Sequence, residues 1–278
     1  MFYLILAIVS SALVSIFMRC SENYTKNNIS MLASNYLACF LLAGFYTGFW
    51  NLFPGGSAIG RTLCLGALNG VLFLAGFVLL QFNVQKNGVV LSATFMKLGV
   101  LVPTVLSVIC FGEMPTVLQI CGFVAAVAAI ILINFEKEQT NVSFKAGLIL
   151  LLLTGGGGDA MSKVYEELGK PEFSEQFLVY TFLAAGLLCV LLAVYKKQRL
   201  SKADFLWGFL IGIPNYFSAR FLLKALRSVP AVVAYPTYSV SAIILVSLAG
   251  VFVFRETIST RQKIAVGIIL AALVLLNV

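Results

Sequence analysis

The 278-residue sequence contains no histidine, and charged residues make up only 11% of it. Histidine is the commonest acid–base and metal-binding side chain in enzymes. Its absence, together with the lack of paired carboxylates and of clustered metal ligands, predicts no enzyme, no metal and no cofactor. No glycine-rich phosphate-binding loop is present, so the sequence does not predict an ATP-driven protein. The six cysteines lack paired spacing and are predicted to be free, buried thiols.

Long apolar runs dominate the sequence, in which 60% of the residues are hydrophobic. A helix that crosses a bilayer needs about 20 largely apolar residues. Roughly ten segments meet this requirement, at about residues 2–20, 29–49, 60–84, 88–111, 114–134, 143–165, 173–195, 203–226, 229–253 and 257–277. The sequence therefore predicts an all-α, multi-pass protein of the cell membrane (plasma or inner membrane). The first run has no basic region before it and no cleavage site after it, so we interpret it as a helix rather than a signal peptide.

The 19 Lys and Arg residues exceed the 11 Asp and Glu residues, and the formal net charge is +8. These cations cluster at the ends of the apolar segments, where they anchor a membrane protein, so they do not predict nucleic-acid binding. The predicted partners are the lipid bilayer and a small-molecule substrate, with a homodimer as an open alternative to a single copy. Loops after odd-numbered segments hold most of the cations, and the positive-inside rule predicts that these loops are cytoplasmic.

The two halves of the sequence match when one is displaced by 143 positions. Phe111-Gly112-Glu113 then falls on Phe254-Arg255-Glu256, and Gln119 falls on Gln262. Polar matches in one register are harder to obtain by chance than matches between apolar residues. The pattern predicts a duplication, with residues 1–135 as the first five-helix repeat and residues 143–278 as the second.

The odd number of segments in each repeat determines the predicted architecture. Five crossings bring the chain to the opposite side of the membrane, so the second repeat enters from the other face. The predicted fold is therefore ten transmembrane helices arranged as two inverted five-helix repeats. In proteins of this design the substrate site lies near the midplane, and access alternates as one half rocks against the other.

The ends of the two repeats resemble a known family. The segment from Leu101-Val102-Pro103 to Phe111-Gly112-Glu113, followed by Gln119 and Gly122, resembles the drug/metabolite transporter superfamily, EamA-type branch. The resemblance implies a ten-helix carrier of small metabolites, often an exporter of amino acids or related compounds, with both termini in the cytoplasm. That orientation is the reverse of the one the charge count predicts, and it stays open. One departure is that Pro103 has Val246 as its counterpart.

Two charged residues lie inside apolar segments, where a charge costs at least ~2.5–3.5 kcal/mol and normally has a function. Lys97 corresponds to Val240 in the other repeat, so the fold itself does not require a cation there. We predict that its ammonium binds an anionic group of the substrate; a lysine that reaches to the interface is the alternative. Asp159 follows four glycines that permit either close helix contact or local unwinding. It is predicted to pair with Lys97 or to couple transport to protons, with a half-exposed cap as the alternative.

Four further residues complete the predicted substrate site. Thr94 shares a helical face with Lys97. Asn215 and Arg220 lie in the eighth segment, and Tyr238 lies in an aromatic and polar stretch of the ninth. For Arg220 an interfacial position is an equal alternative.

Three glycine and glutamate patterns are predicted to have structural roles. Gly66 and Gly70 form one small-residue pair, and Gly267 with Ala271 forms another; both are predicted to be packing seams. Glu113 and its counterpart Glu256 stand at the starts of helices, where a carboxylate suits the positive end of the helix dipole.

The sequence thus predicts a secondary active transporter that moves a small polar or amphipathic metabolite, of the amino acid or organic anion type, by alternating access. Proton coupling or substrate exchange is the expected energy source. A flippase for a lipid-linked head group is the alternative, and a laterally open groove lined by phenylalanine would favour it.

Overall fold

The computed structural model describes residues 1–55, 57–134, 144–255 and 260–278, and within these ranges it contains helices and no strand. The α-helices are α1 (Phe2–Ser21), α2 (Asn28–Thr47), α3 (Ser57–Asn87), α4 (Val89–Lys97), α5 (Leu101–Phe111), α6 (Val117–Asn134), α7 (Lys145–Leu168), α8 (Ser174–Tyr195), α9 (Lys202–Leu226), α10 (Ala231–Phe252) and α11 (Thr260–Asn277). Each of the ten predicted segments coincides with one helix, except that the fourth contains both α4 and α5.

Seven stretches in the described ranges are long and apolar enough to cross a membrane, which confirms an all-α, multi-pass membrane protein. They are Phe2–Ser21, Asn28–Thr47, Ile59–Asn87, Leu91–Phe111, Pro171–Tyr195, Ala231–Phe252 and Thr260–Asn277. A shorter apolar helix covers Val117–Ile133. The two other long helices, α7 and α9, contain Asp159 and Arg220, two of the predicted site residues.

The predicted continuous helix over the fourth segment is interrupted by a 3-10 turn at Leu98–Val100. Pro103 explains the interruption, because it has no N–H to donate to the carbonyl of Gly99 four residues earlier. The turn changes the rotation between α4 and α5, so the fourth segment does not present one continuous helical face.

The chain forms two compact units, each built from both halves of the sequence. Unit 1 comprises residues 1–74 and 164–227, and unit 2 comprises residues 75–163 and 228–278. Unit 1 therefore contains α1, α2, α8, α9 and the first part of α3. Unit 2 contains α4, α5, α6, α10, α11, the end of α3 and most of α7.

Two glycine pairs bring helices of unit 1 into backbone contact. A Cβ atom at Gly70 of α3 would lie 2.6 Å from the carbonyl oxygen of Thr181 in α8. Similarly, a Cβ atom at Gly212 of α9 would lie 2.5 Å from the carbonyl oxygen of Asn35 in α2. Each glycine has a second one four residues earlier on the same face, at Gly66 and Gly208, which also meets the neighbouring helix. The predicted seam at Gly66 and Gly70 is thus confirmed.

Hydrogen bonds at the two ends of unit 1 fix the directions of its helices. At one end, the Asp204 carboxylate accepts hydrogen bonds from the backbone of Lys26 at 2.8 Å and of Asn27 at 3.3 Å. At the other end, the Tyr180 hydroxyl donates to the carbonyl of Leu52 at 2.6 Å. The starts of α2 and α9 therefore lie together, and the end of α2 lies beside the start of α8.

In unit 2, α6 packs on α11, and the end of α3 is hydrogen-bonded to α7. A Cβ atom at Gly122 of α6 would lie 3.0 Å from the carbonyl oxygen of Ala272 in α11. Asn83 near the end of α3 donates to the carbonyl of Gly147 in α7 at 2.9 Å. The prediction that Gly267 lies in a packing seam is wrong, because a Cβ atom added there would have no other atom within 4 Å.

Candidate functional site in the membrane helices

The glycine-rich stretch of α7 crosses the interrupted fourth segment at a very short distance. A side chain on Gly156 would collide with the carbonyl oxygen of Gly99, the group that Pro103 leaves without a helical donor. Helix α7 stays α-helical through Gly155–Gly158, so the glycines serve close contact and not unwinding. Lys97 lies two residues before Gly99, and Asp159 lies three residues after Gly156. The crossing therefore brings the two charged residues into electrostatic interaction.

Lys97 is the last residue of α4. Its side chain is exposed, although Leu98, Gly99 and Val100 beside it are buried. Among the described residues, no carboxylate lies within ion-pair distance of Lys97, so the Asp159 charge acts on it from further away.

Helix α10 is attached to α7 at Asp159. The buried Tyr235 hydroxyl donates a hydrogen bond to the backbone carbonyl of Asp159 at 2.8 Å, while the Asp159 side chain remains half-buried. Tyr238, one turn further along α10, is half-buried. Thr94 is buried on α4. The structure thus places the predicted residues Lys97, Thr94, Asp159 and Tyr238 in unit 2.

An ion pair lies one helical turn beyond Asp159 on α7. The Lys163 ammonium is 2.9 Å from Glu113, and their side chains are only 4% and 15% exposed. Glu113 also accepts a hydrogen bond from the backbone N–H of Val232, at the start of α10, at 3.0 Å. Burial alone raises the pKa of the Glu113 carboxyl, but the Lys163 ammonium and the amides of Val232 and Ala231 outweigh it and hold the pKa below the ordinary value.

The predicted capping role of Glu113 therefore needs a correction. Glu113 precedes α6 in the sequence, yet its carboxylate caps α10, because the chain returns to this point after four further segments. At the start of α6 itself, Thr116 and Gln119 exchange hydrogen bonds of 3.2 and 3.0 Å in a capping box. The corresponding prediction for Glu256 lies outside the described residues.

Arg220 belongs to a separate ionic and aromatic cluster in unit 1. Its Nε donates to Glu175 at 2.6 Å, and the other oxygen of Glu175 accepts a hydrogen bond from the Tyr216 hydroxyl at 2.9 Å. The guanidinium also lies over the ring of Tyr46, 3.8 Å from its centroid. These contacts hold the charge rigidly inside the helices. Asn215, half-buried in the same unit, donates to the side-chain oxygen of Asn35 at 2.8 Å.

Sequence reasoning missed three members of these clusters. Lys163 has a weak signal, because it lies four residues after Asp159 and so shares its helical face. Glu175 has an acidic position in the first turn of α8, which is usually read as dipole compensation. Tyr46 has no signal of its own, because its role depends on a contact between distant segments.

No cluster of potential metal ligands occurs within the described ranges. The cysteines are free, and Cys39 and Cys189 are buried as predicted. The burial prediction is wrong for three others, Cys64, Cys110 and Cys121, which are exposed on apolar helices.

The cavity between α2 and α8 is apolar. It measures about 420 Å³ and is lined by Tyr36, Phe40, Phe182 and Phe205 among other residues. Its lining within the described residues contains no charged side chain, so this cavity offers no counter-ion to a charged metabolite.

The chain is similar in sequence and in fold to several known proteins. The model of the EamA-like transporter family matches residues 146–278. The chain is 25% identical over 284 residues to an uncharacterized protein of Haemophilus influenzae, covering 97% of this chain and 95% of that protein. It is 37% identical over 60 residues to the membrane protein YvaE of Bacillus subtilis, covering 22% of this chain and 50% of YvaE. One solved crystal structure matches with a TM-score of 0.75 over 99% of this chain and 94% of its own, at 12% identity, and this shows the fold alone.

Proposed function

The EamA-like transporter family model matches residues 146–278, and from this similarity we propose that the protein is a secondary active transporter of a small metabolite with an anionic group. The similarity to this family and the apolar helices both support a transporter in the cell membrane. The proposal adds the class of substrate, the residues that bind it and the alternating-access mechanism.

The observation that carries the proposal is that Lys97 lies within an apolar segment and, in the part of the chain that the structure describes, without a carboxylate close to its ammonium. Lys163 and Arg220 each have a carboxylate within 3 Å, at 2.9 and 2.6 Å. Lys97 is accessible, and the described residues place no carboxylate at that distance from it. A charge within a spanning segment is costly unless it is compensated. A carboxylate or phosphate of the substrate supplies that compensation when it binds.

Charge balance in unit 2 suggests how transport is coupled. Lys97 and Lys163 carry two positive charges and Asp159 and Glu113 carry two negative charges, so the four groups together have no net charge when all are ionised. Binding of a substrate anion adds one negative charge, which a low-dielectric interior disfavours. Protonation of Asp159 restores the balance, because it removes the negative charge nearest to the bound anion. This links each substrate to one proton.

The inverted-repeat architecture is supported by the matching seams of unit 1. Helix α3 of the first repeat meets α8 of the second through Gly66 and Gly70, and α9 of the second repeat meets α2 of the first through Gly208 and Gly212. Under a displacement of 143 positions α3 corresponds to α9 and α2 to α8. The displacement therefore turns the α3–α8 contact into the α9–α2 contact and the reverse, as a twofold axis between the repeats requires. Inverted repeats are the usual basis of alternating access.

The test of the proposal is substrate uptake into proteoliposomes, using a panel of small carboxylates, phosphates, cations and neutral solutes. We expect uptake of an anionic or zwitterionic solute, loss of this uptake in Lys97→Gln, and partial retention in Lys97→Arg. Lys86→Gln removes one charge from an exposed lysine at the end of α3 and serves as the matched control. Full uptake of the same solute by Lys97→Gln contradicts the assignment.

Proton coupling is tested separately at Asp159. We expect Asp159→Asn to exchange substrate across the membrane but to lose accumulation driven by a proton gradient, because the amide cannot take up the proton. Unchanged gradient-driven accumulation in Asp159→Asn rejects this role and leaves the role of Lys97 untouched.

A further inference from the structure

An apolar groove separates α1 from α9 on the surface of unit 1. Its volume is about 390 Å³, and its lining includes Ser10, Leu13 and Phe17 from α1 with Pro214, Phe217 and Phe221 from α9. Ser10 and Pro214 are buried and form the floor, whereas Leu13 is 38% exposed on the wall. The groove exists because the serine and the proline ring do not fill the space between the helices. Since α1 spans the membrane, lipid chains are the medium that meets this surface.

One end of the groove is marked by a cation. The Lys224 ammonium lies over the ring of Tyr3, 5.5 Å from its centroid, and Tyr3 stacks on Phe221 at 6.2 Å. Tyr3 is in the first turn of α1, and Lys224 is in the last turn of α9, so both lie where the helices leave the bilayer. Tyrosine and lysine at this depth sit at the level of lipid head groups.

The charge near this end is positive. Arg220 and Glu175 neutralise each other, whereas Arg227 acts on Lys224 as a further cation. Within the described residues, Lys224 has no carboxylate at ion-pair distance. Its ammonium is therefore available to an anion that approaches from the lipid side.

We propose that the groove between α1 and α9 holds one acyl chain of an anionic phospholipid, whose phosphate group pairs with Lys224. The apolar floor accepts the chain, and Phe217 and Phe221 lie between it and the head group. The site selects lipids by charge, and its lining contains none of the residues Lys97, Thr94, Asp159 and Tyr238.

The test is native mass spectrometry of the purified protein titrated with phosphatidylglycerol or phosphatidylcholine of identical acyl chains. We expect the first phosphatidylglycerol to bind about fivefold more tightly than phosphatidylcholine, the effect of one cation near an anionic lipid. Lys224→Gln is expected to abolish this preference, and Lys224→Arg to keep it. Lys202→Gln removes an exposed charge from the opposite end of α9 and is expected to keep the preference.

A second arm tests the groove itself. Ser10→Phe fills the floor and is expected to weaken binding of the first lipid of either kind. Equal binding of both lipids by the wild type, or an equal loss in Lys202→Gln and Lys224→Gln, overturns the proposal. A dimer that disappears in Ser10→Phe while lipid binding stays constant also overturns it, because a second copy of the chain then covers the groove.

Discussion

The buried charged residues of this protein differ in how close the nearest opposite charge lies. Glu113 receives the Lys163 ammonium on one oxygen and the backbone N–H of Val232 on the other. Three segments of the chain, the α5–α6 loop, α7 and α10, therefore meet at one carboxylate. Breaking a buried pair by removing one partner leaves the other charge poorly compensated and commonly costs about 3–5 kcal/mol.

Glu113→Gln is expected to lower the free energy of unfolding by about 3 kcal/mol, because the amide cannot compensate the Lys163 charge. Denaturant unfolding in detergent measures the effect. The double variant Glu113→Gln with Lys163→Met removes both charges and is expected to recover part of the loss. A double variant less stable than Glu113→Gln indicates that Lys163 has another stabilising partner and contradicts this account.

The lowered pKa of Glu113 predicts a pH dependence of stability. A carboxyl with a folded-state pKa below the ordinary value of 4.5 stabilises the fold above that value. This contribution is lost as pH falls below 4.5 through the folded-state pKa, because protonation ends the ion pair. Wild type is therefore expected to lose more stability than Glu113→Gln when unfolding is compared at pH 7 and in this acidic window. Equal losses in both proteins disprove the assignment.

At the level of helices, the glycines differ according to what they face. Gly212 of α9 meets the backbone of α2, whereas Gly267 of α11 faces open space. Gly212→Ala is expected to destabilise the protein by about 1–3 kcal/mol, as overpacking does. Gly267→Ala is expected to leave stability unchanged or to raise it by up to about 1 kcal/mol, since alanine favours a helix. Thermal unfolding of the two variants compares them directly, and equal destabilisation rejects the seam.

Hydropathy predicted the helical segments of this chain well, because most of them are long apolar runs of the length that a bilayer requires. It did not predict the 3-10 turn at Leu98–Val100, although Pro103 supplied the signal. The clusters around Glu113 and Glu175 were also missed. Their members lie 50 residues apart for Glu113 and Lys163, and 45 for Glu175 and Arg220. Such contacts depend on how segments pair, which periodicity within one segment does not reveal.

At the level of the whole molecule, contacts between distant segments constrain the number of crossings. Lys26 and Asp204 can only meet if an even number of crossings separates them, and the six segments from α2 to α8 satisfy this. Val232 and Glu113 are separated by four segments, which is again an even number. Both contacts are consistent with a single crossing by each of the segments between the partners.

Ten single crossings predict that residues 143 positions apart lie on opposite sides of the membrane. A cysteine at Asn23 is expected to share a side with one at Lys197, and one at Lys170 is expected to lie on the other side. All three positions are exposed loop residues. Labelling single-cysteine variants, in a background without native cysteines, with an impermeant maleimide measures the side directly. The positive-inside rule further predicts that only Lys170→Cys reacts from outside in intact cells.

The labelling result tests the inverted repeat and the membrane orientation separately, which the charge count alone does not do. If Asn23→Cys and Lys197→Cys react from opposite sides, one intervening segment does not cross, and the inverted repeat fails. If only those two react from outside, the repeat stands and the orientation is the one that the family resemblance implies. The substrate prediction survives the second outcome, because Lys97 lies within a segment that crosses in either orientation. It does not survive the first, since alternating access by inverted repeats requires every segment of each repeat to cross.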